Sequence, residues 1–186
     1  MSVFSKRSTA AVITVVLCVL ALVIGVRRSV GRRAADILDQ FESGVRSETA
    51  GYTLPSVSAQ LEARSNAALG LISLSGPYGD LTEKADAVRE AREALLSAGS
   101  ISARSEANAA LAAACDALIP GLEAVLTDPD RISALKDYAG VMSNTARLIE
   151  TSGYNELVSD FRSNVLGLFP VSILYRIAGV AVPDYF

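Results

Sequence analysis

The chain has 186 residues, enough for one membrane anchor and one domain of ordinary size. It contains neither histidine nor tryptophan and carries a formal net charge of −3. Without imidazole, Glu-x-x-His di-iron chemistry, His-based triads and imidazole-ligated zinc are all excluded.

The charge is unevenly placed. Lys6, Arg7, Arg27, Arg28, Arg32 and Arg33 are the only charged side chains in the first 33 residues. The remainder holds 11 basic against 20 acidic side chains, a net of −9. A surface of that sign repels phosphate backbones, so nucleic acid is not an expected partner.

The six basic residues bracket Thr9 to Val26, TAAVITVVLCVLALVIGV, eighteen residues with no charge and no proline. At 1.5 Å per residue such a helix rises about 27 Å, close to the roughly 30 Å hydrocarbon core of a bilayer. Only a helix satisfies the backbone of a single segment in lipid, so residues 1–33 are expected to form a basic-flanked membrane anchor. A cleaved signal peptide is the rival reading, but the apolar run ends directly in Arg27-Arg28 with no small-x-small cleavage pattern. Two basic side chains precede the span and four follow within eight residues. The positive-inside rule therefore leans towards a cytoplasmic C-terminal domain on a single-pass protein. Cys18 lies in the span and Cys115 on an apolar stripe, so both read as small buried apolar groups rather than a disulfide.

Beyond the anchor, apolar residues recur at spacings of three and four, which predicts amphipathic helices. Two helical stretches, about 34–47 and 55–74, are separated by Gly51-Tyr52-Thr53, with Pro55 restarting the second. A helix near 80–97 places Leu81, Ala85, Val88, Arg92 and Leu95 on one face, with Asp80 as cap and Glu83 at capping-box spacing. The next, about 105–126, carries Leu111, Cys115, Leu118, Leu122 and Val125, with a kink expected at Pro120. Asp128 and Pro129 open a long final helix as N-cap and first residue. Its stripe is Ile132, Leu135, Ala139, Met142, Ala146, Ile149 and Gly153, continued after a slip by Val158, Phe161, Val165 and Leu168. Phe169-Pro170 ends or kinks it. The expected fold is all-α: the single transmembrane helix followed by an acidic antiparallel bundle of about four long helices over residues 34–186. The apolar tail, 170–186, is expected at the membrane-proximal end of that bundle, with a second span as the alternative.

The C-terminal third carries a recognisable pattern. Gly153-Tyr154-Asn155-Glu156-Leu157-Val158 is followed by Phe169-Pro170 and then by Tyr185-Phe186. This resembles the signature of the LemA family, bacterial proteins with one N-terminal membrane helix and a helical bundle. Gln60-Leu61 with Arg64, Pro77-Tyr78, and Val88 with Ala91-Arg92 are similar to the family's first-half pattern, and Asp128-Pro129-Asp130 to its turn. The chain looks like a divergent member, since Phe161-Arg162 replaces a second tyrosine-asparagine pair and Ser65-Asn66 replaces an apolar-Pro-Asn stretch. Asn144 or Thr145 stands where a glutamate is usual. The resemblance implies a membrane-anchored bundle of the bacterial cell membrane with an undetermined biochemical role, no cofactor and no enzymatic activity. It also implies a membrane or envelope protein as partner beside the lipid bilayer, and self-association is compatible with it.

The residues singled out as structural or interaction candidates are Arg92, Tyr154, Asn155, Phe169, Pro170, Tyr185 and Phe186. Tyr154 and Asn155 are expected to make an interhelical hydrogen bond with the ring in the core. Arg92 is expected either to snorkel or to pair with a carboxylate of a facing helix, Glu150 or Glu156 being the candidates. No catalytic residue is expected. Lys84 and Lys136 sit among solvent-facing charges, Gly76-Pro77-Tyr78-Gly79 is a turn rather than a phosphate loop, and Glu90 and Glu93 are helix-surface charge. A structural or scaffolding protein is the leading expectation, and a ligand-sensing module coupled to the membrane is the alternative.

Overall fold

The computed structural model describes residues 3–46, 53–54 and 56–186. Gly51, Tyr52 and Pro55, expected to separate and restart two helices, lie outside the described residues. The regular structure of the described residues is helical apart from a two-residue antiparallel ladder that pairs Val45 with Leu54 and Arg46 with Thr53.

The anchor is longer than its apolar run. Helix α1 spans Val3–Ser43 without a break, where the sequence suggests an anchor and a separate helix from residue 34. No proline falls in this stretch, so the hydrogen-bond ladder runs on through the arginines to Gly44. Gly44 takes φ 79° and its N–H reaches the Gln40 carbonyl at 3.0 Å, a left-handed cap that a β-carbon would oppose. Val12, Ile13, Leu17, Leu20 and Ile24 are all exposed, and no residue of the 18-residue apolar window is buried by protein. In water that surface would be untenable, which is the basis for membrane anchoring.

Five further helices follow: α2 (Val57–Ser75), α3 (Thr82–Ser97), α4 (Ile101–Val125), α5 (Pro129–Glu150) and α6 (Tyr154–Phe161), then a short α7 (Val171–Ile177). Ser56 caps α2 by accepting the Ala59 N–H at 2.9 Å, and Ser100 caps α4 by accepting that of Ala103 at 3.1 Å. Asp128 accepts the Asp130 N–H at 3.0 Å ahead of Pro129, as its sequence position predicts. Asp80 does not cap α3. It sits within a 3-10 turn, Gly79–Leu81, that leads into the helix, so Leu81 occupies the cap position without a side-chain bond.

The chain folds into two compact units. One joins Met1–Leu38 to Asn155–Pro183, and the other comprises Asp39–Tyr154 with Asp184–Phe186. In the second, α2 packs against α3, α4 and α5, and α4 also meets α3 and α5. Its core contains Leu71, Val88, Leu111, Cys115, Leu118 and Leu122, all fully enclosed. Helix α4 is also long and apolar enough to cross a membrane, but its apolar stripe is spent on these contacts. Pro120 lies inside it, and the helix continues to Val125.

Two stripe positions depart from the simple helical period. On α5, Thr145 is buried and Ala146 exposed, and the threonine hydroxyl is satisfied in the interior by donating to the Val141 carbonyl at 2.6 Å. After Phe161 the chain makes a π-turn, Arg162–Leu166. Its wider turn advances the register, so Leu166 is buried and Leu168 exposed.

Candidate functional site

The second unit contains an aromatic cluster that joins several of the singled-out residues. Helix α1 ends by burying Phe41 completely. Tyr154, only 4% exposed, stands edge-on to it at 5.1 Å between centroids. Phe186 also packs on Phe41 at 5.7 Å, and the Arg104 guanidinium sits over the Phe41 ring at 5.8 Å. Arg104 also pairs with Glu42 at 2.8 Å. The Tyr154 ring is therefore in the core as expected, but its hydroxyl donates to the Asp184 backbone carbonyl at 3.0 Å. That bond is not interhelical; it ties down the C-terminal segment. Asn155, the next residue, is exposed, and so is Tyr185.

Unlike Arg104, the arginines Arg64, Arg92 and Arg131 cross between helices to backbone carbonyls. Arg92 donates from Nε to the Ser65 carbonyl of α2 at 3.0 Å, so neither Glu150 nor Glu156 is the partner bonded there. Arg131 of α5 donates to the Leu74 carbonyl at 2.6 Å and covers the Tyr78 ring at 5.4 Å. Both target carbonyls lie on α2, Leu74 in its last turn, where helix carbonyls lack intrahelical donors and carry partial negative charge.

Arg64 is a buried charge that helical periodicity does not announce. It is 3% exposed, and Nη1 donates to the Met142 carbonyl at 3.2 Å. Among the described residues its Nε has no hydrogen-bond partner. Burial lowers the guanidinium pKa, opposed by the influence of Cys115 and Asp116. Burial likewise pushes the Cys115 thiol up to about 11. Both shifts have the same cause, a low-dielectric interior that disfavours charge. No described group of three or more Cys, Asp or Glu side chains converges as a metal site would require.

In the first unit, the base of α1 is the centre of packing. Val30 and Ala34 are buried against Phe161 and Leu166, and Val26, Ile37, Val165, Val171, Tyr175, Val180 and Val182 complete the cluster. Arg162 fixes the extended tail by donating to the Pro183 carbonyl from Nη2 at 2.8 Å and from Nε at 3.3 Å. The apolar tail is thus packed on α1 itself. Phe169 and Pro170, joined by a cis peptide bond, lie at a turn of 102° between the helical stretch ending at Leu166 and α7. Phe169 is 83% exposed and is no part of any core. The singled-out residues therefore have separate places: Tyr154 and Phe186 meet in the aromatic cluster, Arg92 ties α3 to α2, and Phe169 projects outward. Comparison of the chain with models of known protein families, with curated proteins and with solved structures finds no match.

Proposed function

We propose that this is a single-pass bacterial cell-membrane protein of the LemA type, whose acidic, antiparallel helical bundle serves as a structural or interaction module at the membrane surface. The observation that supports this most is the charge division between the units. The unit containing the span carries eight basic and three acidic side chains, and the other nine basic and seventeen acidic. The basic unit suits anionic headgroups, and the acidic unit suits a basic protein partner. The basic residues after the span favour a cytoplasmic bundle.

Chemistry on a substrate draws no support from the side chains. Arg64 and Cys115 are enclosed, and Lys84, Lys136, Glu90 and Glu93 are solvated surface. The rival reading, a ligand-sensing module, draws on α1, which carries the span and also supplies Phe41 to the aromatic cluster. Crosslinking followed by purification of the full-length protein from its native membrane separates the two. A stoichiometric membrane or envelope protein supports the interaction module, and recovery of the protein alone reopens the sensing reading.

A further inference from the structure

Helix α7 is apolar on two opposite sides. Val171 and Tyr175, one turn apart, pack into the cluster at the base of α1. Ile173 and Ile177, also one turn apart and about 200° round the helix from them, are 54% and 66% exposed. Leu168 and Phe169, in the turn just ahead of α7, are 58% and 83% exposed as well. A seven-residue helix with an apolar face on protein and another facing outwards needs an apolar medium outside. Four large hydrophobics in one ten-residue stretch are more than scattered surface exposure accounts for.

The height of this surface along α1 identifies the medium. The cluster that holds α7 begins at Val26, the last apolar residue of the span, and ends at Ile37. Those roughly eleven residues of helix rise about 16 Å, and Val30 lies only about 6 Å beyond the span. The headgroup layer on each side of a bilayer is roughly 5–7 Å thick, so the cluster starts at the hydrocarbon edge and crosses the headgroups. Arg28, Arg32 and Arg33 are exposed on α1 at that level, with Asp36 the one acidic side chain beside them. Arg176 is exposed on α7 at the edge of the isoleucine face, about 60° round the helix from Ile173, and its Nε donates to the Tyr175 hydroxyl at 3.1 Å.

We propose that Leu168, Phe169, Ile173 and Ile177 form a second, interfacial membrane contact, lying in the headgroup–acyl boundary beside the point where α1 leaves the bilayer. The partner is an anionic lipid bilayer: the apolar face enters the acyl region, and Arg176 with the α1 arginines meets lipid phosphates. Seven residues rise only about 10 Å, so α7 lies at the interface and does not cross. This contact rests on the reading of α1 as a membrane span.

The chain has no tryptophan, so a single introduced one reports its own surroundings. The full-length protein is reconstituted into vesicles of phosphatidylcholine and phosphatidylglycerol, with and without bromine atoms near the headgroup end of the acyl chains. Ile13→Trp, within the span, reports the anchor, and Phe169→Trp and Ile177→Trp report the new contact. At an interfacial depth of roughly 5–10 Å, emission from both tail variants is expected to shift to shorter wavelength and fall about twofold in brominated vesicles. Should Phe169→Trp disturb the turn before Pro170, Ile177→Trp decides. Quenching at residue 13 but not at 177 overturns the tail contact and leaves the anchor standing. Short-wavelength emission at 177 without bromine quenching also overturns it, since a protein surface then covers the patch. No quenching at residue 13 removes the span, and the tail contact with it.

Discussion

Replacing Arg64 by methionine is expected to stabilise the protein. The guanidinium is almost wholly enclosed, makes one hydrogen bond at 3.2 Å, leaves Nε without a partner and forms no ion pair among the described residues. The effective penalty for enclosing such an ion is several kcal/mol, while a hydrogen bond from a charged group returns about 1.5–3 kcal/mol. The Met142 carbonyl, lying inside α5, has an intrahelical donor available and is not orphaned by the change. Methionine keeps most of the aliphatic stem and adapts to the space left by the guanidinium. The net gain is about 1–3 kcal/mol, and each kcal/mol raises the melting temperature by roughly 2–4 °C for a chain of this size. Thermal unfolding of the full-length protein in detergent micelles, followed by circular dichroism, measures the shift. Arg64→Lys, which keeps the charge and loses the forked donor, is expected to melt lower than the parent. A methionine variant less stable than the parent by more than about 1 kcal/mol would refute the reasoning, because the enclosed cation would then be a net source of stability.

Tyr154→Phe should cost about 1 kcal/mol through the lost bond to the Asp184 carbonyl, whereas Tyr154→Ala should cost about 3–5 kcal/mol by emptying the aromatic cluster; equal losses in denaturant titration would show that the ring contributes nothing. Asp128→Ala and Ser100→Ala should each lose about 1 kcal/mol of cap stabilisation in the same titration, with Asp128→Asn retaining most of it. Cys115 should resist thiol reagents in the folded protein and react on unfolding, since it is enclosed and its thiol is pushed up to about 11. The folded state holds that proton more tightly than the unfolded chain. Its contribution is therefore complete below pH 9.0 and is lost as pH rises through about 11. The parent should lose stability relative to Cys115→Ala across that window, and a constant difference would contradict the assignment.

Features that depend on neighbours in sequence are legible in the sequence alone. A helix long and apolar enough to cross a membrane follows from eighteen apolar residues between basic flanks, and Asp128-Pro129 marks a helix start because capping involves groups two residues apart. The stripe Leu111, Cys115, Leu118 and Leu122 is buried because helical periodicity puts these side chains on one face. Where local signals compete, residue type and spacing mislead. Asp80 has the right type and spacing for a cap but falls inside a 3-10 turn. Leu168 continues the stripe only as far as the π-turn, which changes the number of residues per turn.

Only the tertiary structure decides the pairing of groups far apart in the chain. Arg92 finds a carbonyl 27 residues away, Tyr154 one 30 away and Arg64 one 78 away. Every helix offers many carbonyls, and residue type alone does not rank them, so a carboxylate is the natural expectation for Arg92 and a mistaken one. The same holds for the tail. Its apolar composition announces that it will be covered, but the cluster with Val26, Val30 and Ala34 exists only once the chain folds back onto the foot of α1. Burial is a property of composition and period; the choice of covering surface is set by chain topology.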